Sequence, residues 1–124
     1  MMPTRQEVAE FLSDFNTARR LGFVGWLTRP ADRQHLIDLN ITQNQALDVI
    51  QELTADNYSK GPEPDDVQPN RSVWMFGADV DGVEAYIKLT LQPDAKRRSV
   101  IWGLIWSFHR AEFPLHYPLR SSSP

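Results

Sequence analysis

The chain of 124 residues has no cysteine. That absence excludes a disulfide framework, thiolate zinc sites and cysteine nucleophiles. No apolar run approaches the roughly 20 residues that span a bilayer. The N-terminal residues carry no signal-peptide core, so the expectation is a cytoplasmic protein with no membrane partner. There is no G-x-G-x-x-G and no P-loop, so a nucleotide-dependent small-molecule enzyme has no fingerprint here. Histidine is scarce, with 3 residues, and the carboxylates are scattered. No spacing suggests a metal site, and neither a metal nor another cofactor is expected. Neither sign of charge dominates: 13 Lys and Arg stand against 16 Asp and Glu, a net charge of -3. The pI near 5.5 argues against non-specific coating of nucleic acid.

What is present suits one ordinary globular domain over residues 1–124. Hydrophobic residues make up 41% and charged residues 23%, enough for a single core without staples. Charge is uneven. Residues 1–70 hold 6 Lys and Arg against 11 Asp and Glu, and residues 71–124 hold 7 against 5. The second half is therefore the basic one, with a balance of +2 (7 minus 5).

The N-terminal part, about 4–58, reads as helical. Thr4 and Glu7 have capping-box spacing, and Val8, Phe11, Leu12, Phe15 and Ala18 form one apolar stripe behind them. Gly22 suits the stop. Phe23 to Leu27 is a candidate edge strand, and Arg33 to Leu39 a short helix. Thr42 and Gln45 repeat the capping box before Leu47, Ile50 and Leu53, and Thr54 to Tyr58 adds a further turn. Residues 59–71, with Gly61, Pro62, Pro64 and Pro69, read as a loop. Its acids Asp65 and Asp66 read as a solvated turn.

From 72 to 109 the pattern is a three-stranded antiparallel meander, followed by a tail over 110–124 whose last residues are expected to fray. Asp81-Gly82 is a strong hairpin signal. Val83 to Leu91 alternates, with Val83, Ala85, Ile87 and Leu89 on one side and Glu84, Tyr86 and Lys88 on the other. Pairing Val80 with Val83 sets Gly77 opposite Tyr86 and Met75 opposite Lys88. Pairing Gln92 with Ser99 sets Ile105 opposite Tyr86 and Ser107 opposite Glu84, with His109 one pleat beyond. On this register Trp102, Leu104, Trp106 and Phe108 join the hydrophobic face that the helices cover. The fold class is α+β, with N-terminal helices on one face of a curved antiparallel sheet. The other face collects Glu84, Tyr86, Lys88, Ser107 and His109, and Gly77 leaves room beside Tyr86.

Histidine is the residue type whose intrinsic pKa, about 6.5, suits proton transfer at neutral pH. Cleavage of RNA needs a base for the 2′-hydroxyl, cationic or donor groups for the phosphoryl oxygens, and an acid for the leaving 5′-oxygen. His109 can serve as acid or base. Lys88, Lys60 and Arg110 can hold phosphate, and Tyr86 can donate a hydrogen bond or stack on a base. The plainer reading makes Tyr86 and Lys88 the solvated face of a sheet, His109 a strand-end residue, His116 a tail packing residue and His35 an exposed helix residue.

In order and spacing, several pieces match a family. They are Tyr58, Gly61-Pro62 with Asp65 or Asp66, Trp74-x-Phe76-Gly77, Gly82-x-Glu84-x-Tyr86-Ile87-Lys88, Ser107-Phe108-His109-x-Ala111-Glu112, Pro114 and Tyr117-Pro118. From about Thr42 to Pro118 the chain resembles the toxins of type II toxin–antitoxin modules related to the motility quorum-sensing regulator. The resemblance implies a RelE-like fold and a metal-independent endoribonuclease that cuts messenger RNA. It also implies a cognate antitoxin, a helix-turn-helix protein encoded by the adjacent gene. Carried over by position, the middle-strand tyrosine is Tyr86. The residue after Ser107-Phe108, a lysine in better-known members, is His109. The residue after Tyr58 is Ser59, with Lys60 next, and a family glutamine near the tryptophan is replaced by Met75. The expected site is thus catalytic His109, Tyr86 and Lys88, with RNA held by Lys60, Arg110 and Tyr58. The alternative is a non-catalytic RNA- or protein-binding module of the same fold.

Overall fold

A computed structural model of the chain describes residues 2–27, 33–66, 68 and 71–120. The expected fraying at 121–124 and the prolines at 30 and 69 lie outside them. The described elements are helix α1 (Arg5–Arg20), strand β1 (Val24–Trp26), helices α2 (Arg33–Asp38) and α3 (Gln43–Gln51), a 3₁₀ turn at Ala55–Asn57, and strands β2 (Tyr58–Pro64), β3 (Ser72–Val80), β4 (Val83–Pro93) and β5 (Ile101–Arg110). The class is α+β. The helices belong to the N-terminal part, and the strands form one open mixed sheet in the order β1-β5-β4-β3-β2.

Local chemistry sets the helix ends. Thr4 accepts from the Glu7 amide at 3.1 Å, and Glu7 accepts from the Thr4 amide at 3.0 Å. Thr42 and Gln45 do the same at 3.1 and 2.8 Å. Each box satisfies two amides that the first helical turn leaves without partners. Gly22, at φ +85°, takes the left-handed position after α1. The stripe of Val8, Phe11, Leu12, Phe15 and Ala18 is buried as expected. Phe11 stacks on Trp74 with ring centroids 4.6 Å apart. Phe15 lies against Gly103, where an added Cβ would come within 3.0 Å of its ring. Fully burying a side chain of this size contributes about 1.5–3 kcal/mol, so α1 is held to the sheet chiefly by these rings.

The sheet departs from the meander in three places. First, β1 exists as a strand but pairs parallel with β5, Val24 with Gly103 through Trp26 with Ile105. Secondly, the stretch read as a loop over 59–71 begins with strand β2, antiparallel to β3 at the sheet edge. An edge strand needs only half of its amides for pairing, so it tolerates Pro62 and Pro64. Gly61 sits at φ +105°, and a Cβ there would meet the Val73 carbonyl oxygen at 2.7 Å. Thirdly, the β4–β5 register differs from the expected one. Gln92 pairs with Trp102, Lys88 with Ser107, and Tyr86 with His109, and a β-bulge leaves Trp106 unpaired between the partners of Leu89 and Lys88.

The bulge corrects the expected core. One extra residue shifts the pleat parity of everything on one side of it. Ile105 and Phe108 face the helices, at 0% and 3% exposure, while Trp102, Leu104 and Trp106 lie on the other side. The remaining core is as read: Ala85, Ile87 and Leu89 are 0% exposed and pack with Phe76, Phe15 and Ile50. The β3–β4 hairpin is also as read, from Val80 with Val83 to Val73 with Thr90. Asp81 and Gly82 both take positive φ at its turn.

Asp65 is not solvated. It is 4% exposed and pairs with Arg71 at 2.8 Å. No helix among the described residues is long and apolar enough to cross a membrane.

Candidate active site

On the face turned away from α1, the register sets residues in rows across the sheet, because directly paired residues share a side. One row is Gly77, Tyr86, His109 and the next is Lys60, Met75, Lys88, Ser107. His109 therefore lies directly opposite Tyr86, closer than the expected register placed it. The two rings stack with centroids 5.1 Å apart and planes 26° apart. The bulge is what makes this possible: it brings Ser107 and His109 to the side of Lys88 and Tyr86 while keeping Ile105 and Phe108 in the core.

His109 has a defined working nitrogen. Its Nδ1 lies 2.8 Å from the Arg110 carbonyl oxygen. A carbonyl only accepts, so Nδ1 carries the proton in that contact and Nε2 is left for other partners. Burial raises the Tyr86 phenol above its ordinary value, and the Glu63 carboxylate adds to the shift. Tyr86 thus keeps its proton across the neutral range, and its hydroxyl has a proton to donate. The Lys88 ammonium lies 5.6 Å from the Trp106 ring centroid, and the Arg71 guanidinium 5.2 Å from it. Arg71 is fixed there by Asp65, which accepts from its Nε at 2.9 Å. The indole that the bulge turns outward thus forms a cation-lined floor beside the Tyr86–His109 row.

The other expected RNA-binding residues divide. Lys60 shares the Lys88 row two strands away, with Met75 between them. It is exposed and pairs with Glu63 at 3.1 Å. Arg110 pairs with Ala85, so its side chain starts from the face opposite His109. Tyr58 pairs with Phe76 on the core side and is 3% exposed, its hydroxyl donating to the Gly61 carbonyl. Neither Arg110 nor Tyr58 joins the Tyr86–His109 face.

Two further expectations change. The space at Gly77 is taken by the C-terminal tail: a Cβ there would meet the Tyr117 hydroxyl and a Leu115 methyl. Glu84, expected in the site, is taken up by the same tail. It accepts from the Leu115 amide at 3.0 Å and from the Tyr117 hydroxyl at 2.5 Å. His116 is exposed on that tail.

Three residues not expected in the site lie beside it: Arg71, Trp106, which was expected in the core, and His35, which was expected to be exposed and is half-buried. The His35 ring lies 5.3 Å from that of His109, with planes 47° apart. Among the described residues, no three His, Cys, Asp or Glu side chains gather as a metal-holding set. No family model, curated protein or solved structure matches the chain.

Proposed function

We propose that the protein is an endoribonuclease toxin of a type II toxin–antitoxin system, resembling the motility quorum-sensing regulator group and built on a RelE-like variant of the α+β fold. The observation that carries this reading is the cross-strand pair of Tyr86 and His109, with Lys88 in the next row. That set meets the needs of phosphodiester transfer in RNA. His109 moves a proton through Nε2, Tyr86 donates to a phosphoryl oxygen, and Lys88 neutralises the charge that grows on the phosphoryl group. Lys60 extends the cationic row along the path of a strand of RNA, and Trp106 backs the Lys88 and Arg71 cations. The cognate antitoxin is a second proposed partner, meeting the basic second half of the chain.

The test is cleavage of RNA by purified protein in chelator. Wild type is expected to cut, and His109→Ala and Tyr86→Phe to lose roughly 10²–10³-fold in kcat, the usual loss for one proton-transfer or oxyanion-binding group. Equal activity in all three removes these roles. A non-catalytic binding module is the second reading, favoured by the Lys60–Glu63 pair, which partly neutralises the cationic row. It predicts RNA binding without cleavage and no growth arrest when the protein is induced.

A further inference from the structure

We propose that His35 is a second catalytic residue of this site, forming with His109 the acid–base pair that cleaves RNA; the inference rests on the ribonuclease reading above. The chemistry moves two protons at opposite ends of one reaction. As the O2′–P bond forms, the 2′-hydroxyl proton leaves; as the P–O5′ bond breaks, the 5′-oxygen takes one up. A neutral imidazole accepts the first and a protonated imidazole supplies the second. The products are a 2′,3′-cyclic phosphate and a 5′-hydroxyl, the proton count of the pair is unchanged, and no oxidant, reductant or co-reactant is used.

The neighbouring groups do not fill the second role. Tyr86 is held protonated by burial and Glu63, which makes it a donor to phosphate and a poor base. Lys88 lies against the Trp106 ring and is the phosphate cation. His116 is on the exposed tail. His35 is half-buried, and its ring lies 5.3 Å from that of His109. At that separation two imidazoles can each come within hydrogen-bond reach of one of the two reacting oxygens of a single phosphodiester.

The fold places His35 there for a structural reason. Among the described residues, strand β1 pairs with β5 from Gly103 to Ile105, and α2 packs against the same strand β5. Leu36 and Leu39 anchor that segment in the core at 8% and 7% exposure. The other ionisable residues on the elements around the pair are Arg33 and Asp38 on α2, Glu84, Tyr86 and Lys88 on β4, Arg110 on β5, and Tyr58, Lys60 and Glu63 on β2.

The test is the pH dependence of kcat/KM on a short RNA oligonucleotide, for wild type, His35→Gln and His109→Gln. Glutamine keeps polarity and approximate size but carries no proton at these pH values. Wild type should give a bell. Each variant should lose roughly 10²–10⁴-fold in kcat with little change in KM, and should lose one limb of the bell. On RNA whose scissile 5′-bridging oxygen is replaced by sulfur, a leaving group that needs no acid, only one of the two variants should regain its rate. A His35→Gln protein that keeps the wild-type rate and bell overturns the proposal alone, leaving the ribonuclease reading in place. A uniform loss at every pH with both limbs intact shows a structural role and also overturns it. Wild type that cuts no RNA overturns both.

Discussion

A buried Asp65–Arg71 pair does more for this site than its position in a proline-rich stretch suggests. Both side chains are almost out of solvent, at 2% and 9%. The carboxylate also accepts from the Gln68 amide at 3.1 Å, and Arg71 donates to the Gln92 side chain. Removing one member of such a pair leaves the other's charge buried without its counter-charge, which costs about 3–5 kcal/mol. Asp65→Ala is therefore expected to lower the unfolding free energy by about that much in urea titration. Asp66→Ala, at an exposed position, should change it by less than about 0.5 kcal/mol. Because Arg71 lies over Trp106, Asp65→Ala is also expected to quench or shift tryptophan emission in the folded state. Unchanged stability in Asp65→Ala would mean that the pair is not what holds this loop to the sheet.

Among the elements, the bulge in β5 has the widest consequence. Trp106 is the extra residue between the Leu89–Ile105 and Lys88–Ser107 pairs. Deleting it should close the ladder into regular antiparallel pairing without turning any other residue over, since Ile105 would still face the core and His109 would still face Tyr86. The expected result is a folded but less stable protein that keeps cross-strand NOEs between the rings of Tyr86 and His109. Loss of those NOEs with the fold retained would show that the indole, not the register, holds the pair together. Inserting one residue after Ser107 should do the opposite. A single step moves every later side chain to the other face, so His109 would be driven toward the core and cleavage lost.

For the molecule as a whole, the Tyr117 phenol joins the tail to the sheet and the other two phenols are held within the sheet, which gives stability a definite dependence on pH. All three tyrosines are held above the usual phenol value, mainly by burial; Glu63 adds to the shift at Tyr58 and Tyr86, and Glu84 at Tyr117. A pKa raised in the folded state means that folding favours the protonated form. That stabilisation is complete below the unfolded value of about 10 and is lost as pH rises through the folded values. The urea midpoint is accordingly expected to fall above about pH 10. Tyr117→Phe, with no phenol to ionise against Glu84, should show a shallower fall from a lower start. A midpoint that stays level through pH 11 in wild type would contradict the sign.

What the sequence determined by itself is what depends on neighbours along the chain. Both capping boxes, the α1 stripe, the Gly22 stop and the Asp81-Gly82 hairpin were legible because each is a relation among residues a few positions apart. The alternation that sets Tyr86 and Lys88 on one face was legible in the same way; His109 was expected on that face too, but on a β4–β5 register that the structure replaces. Tertiary structure alone decided the rest. The proline-bearing β2 is a strand only because β3 supplies its partner. Trp102, Leu104 and Trp106 turn outward because a bulge, invisible to any count of alternation, resets the pleat. Tyr58 and Asp65 are buried, and Glu84 is capped by the tail, through contacts across 6 to 33 positions of sequence. The approach of His35 to His109 spans still more of the chain. Local propensity carries no term for where two distant segments meet; that is set when the apolar faces of the helices and the sheet find each other, and the polar face on the far side is arranged as a consequence.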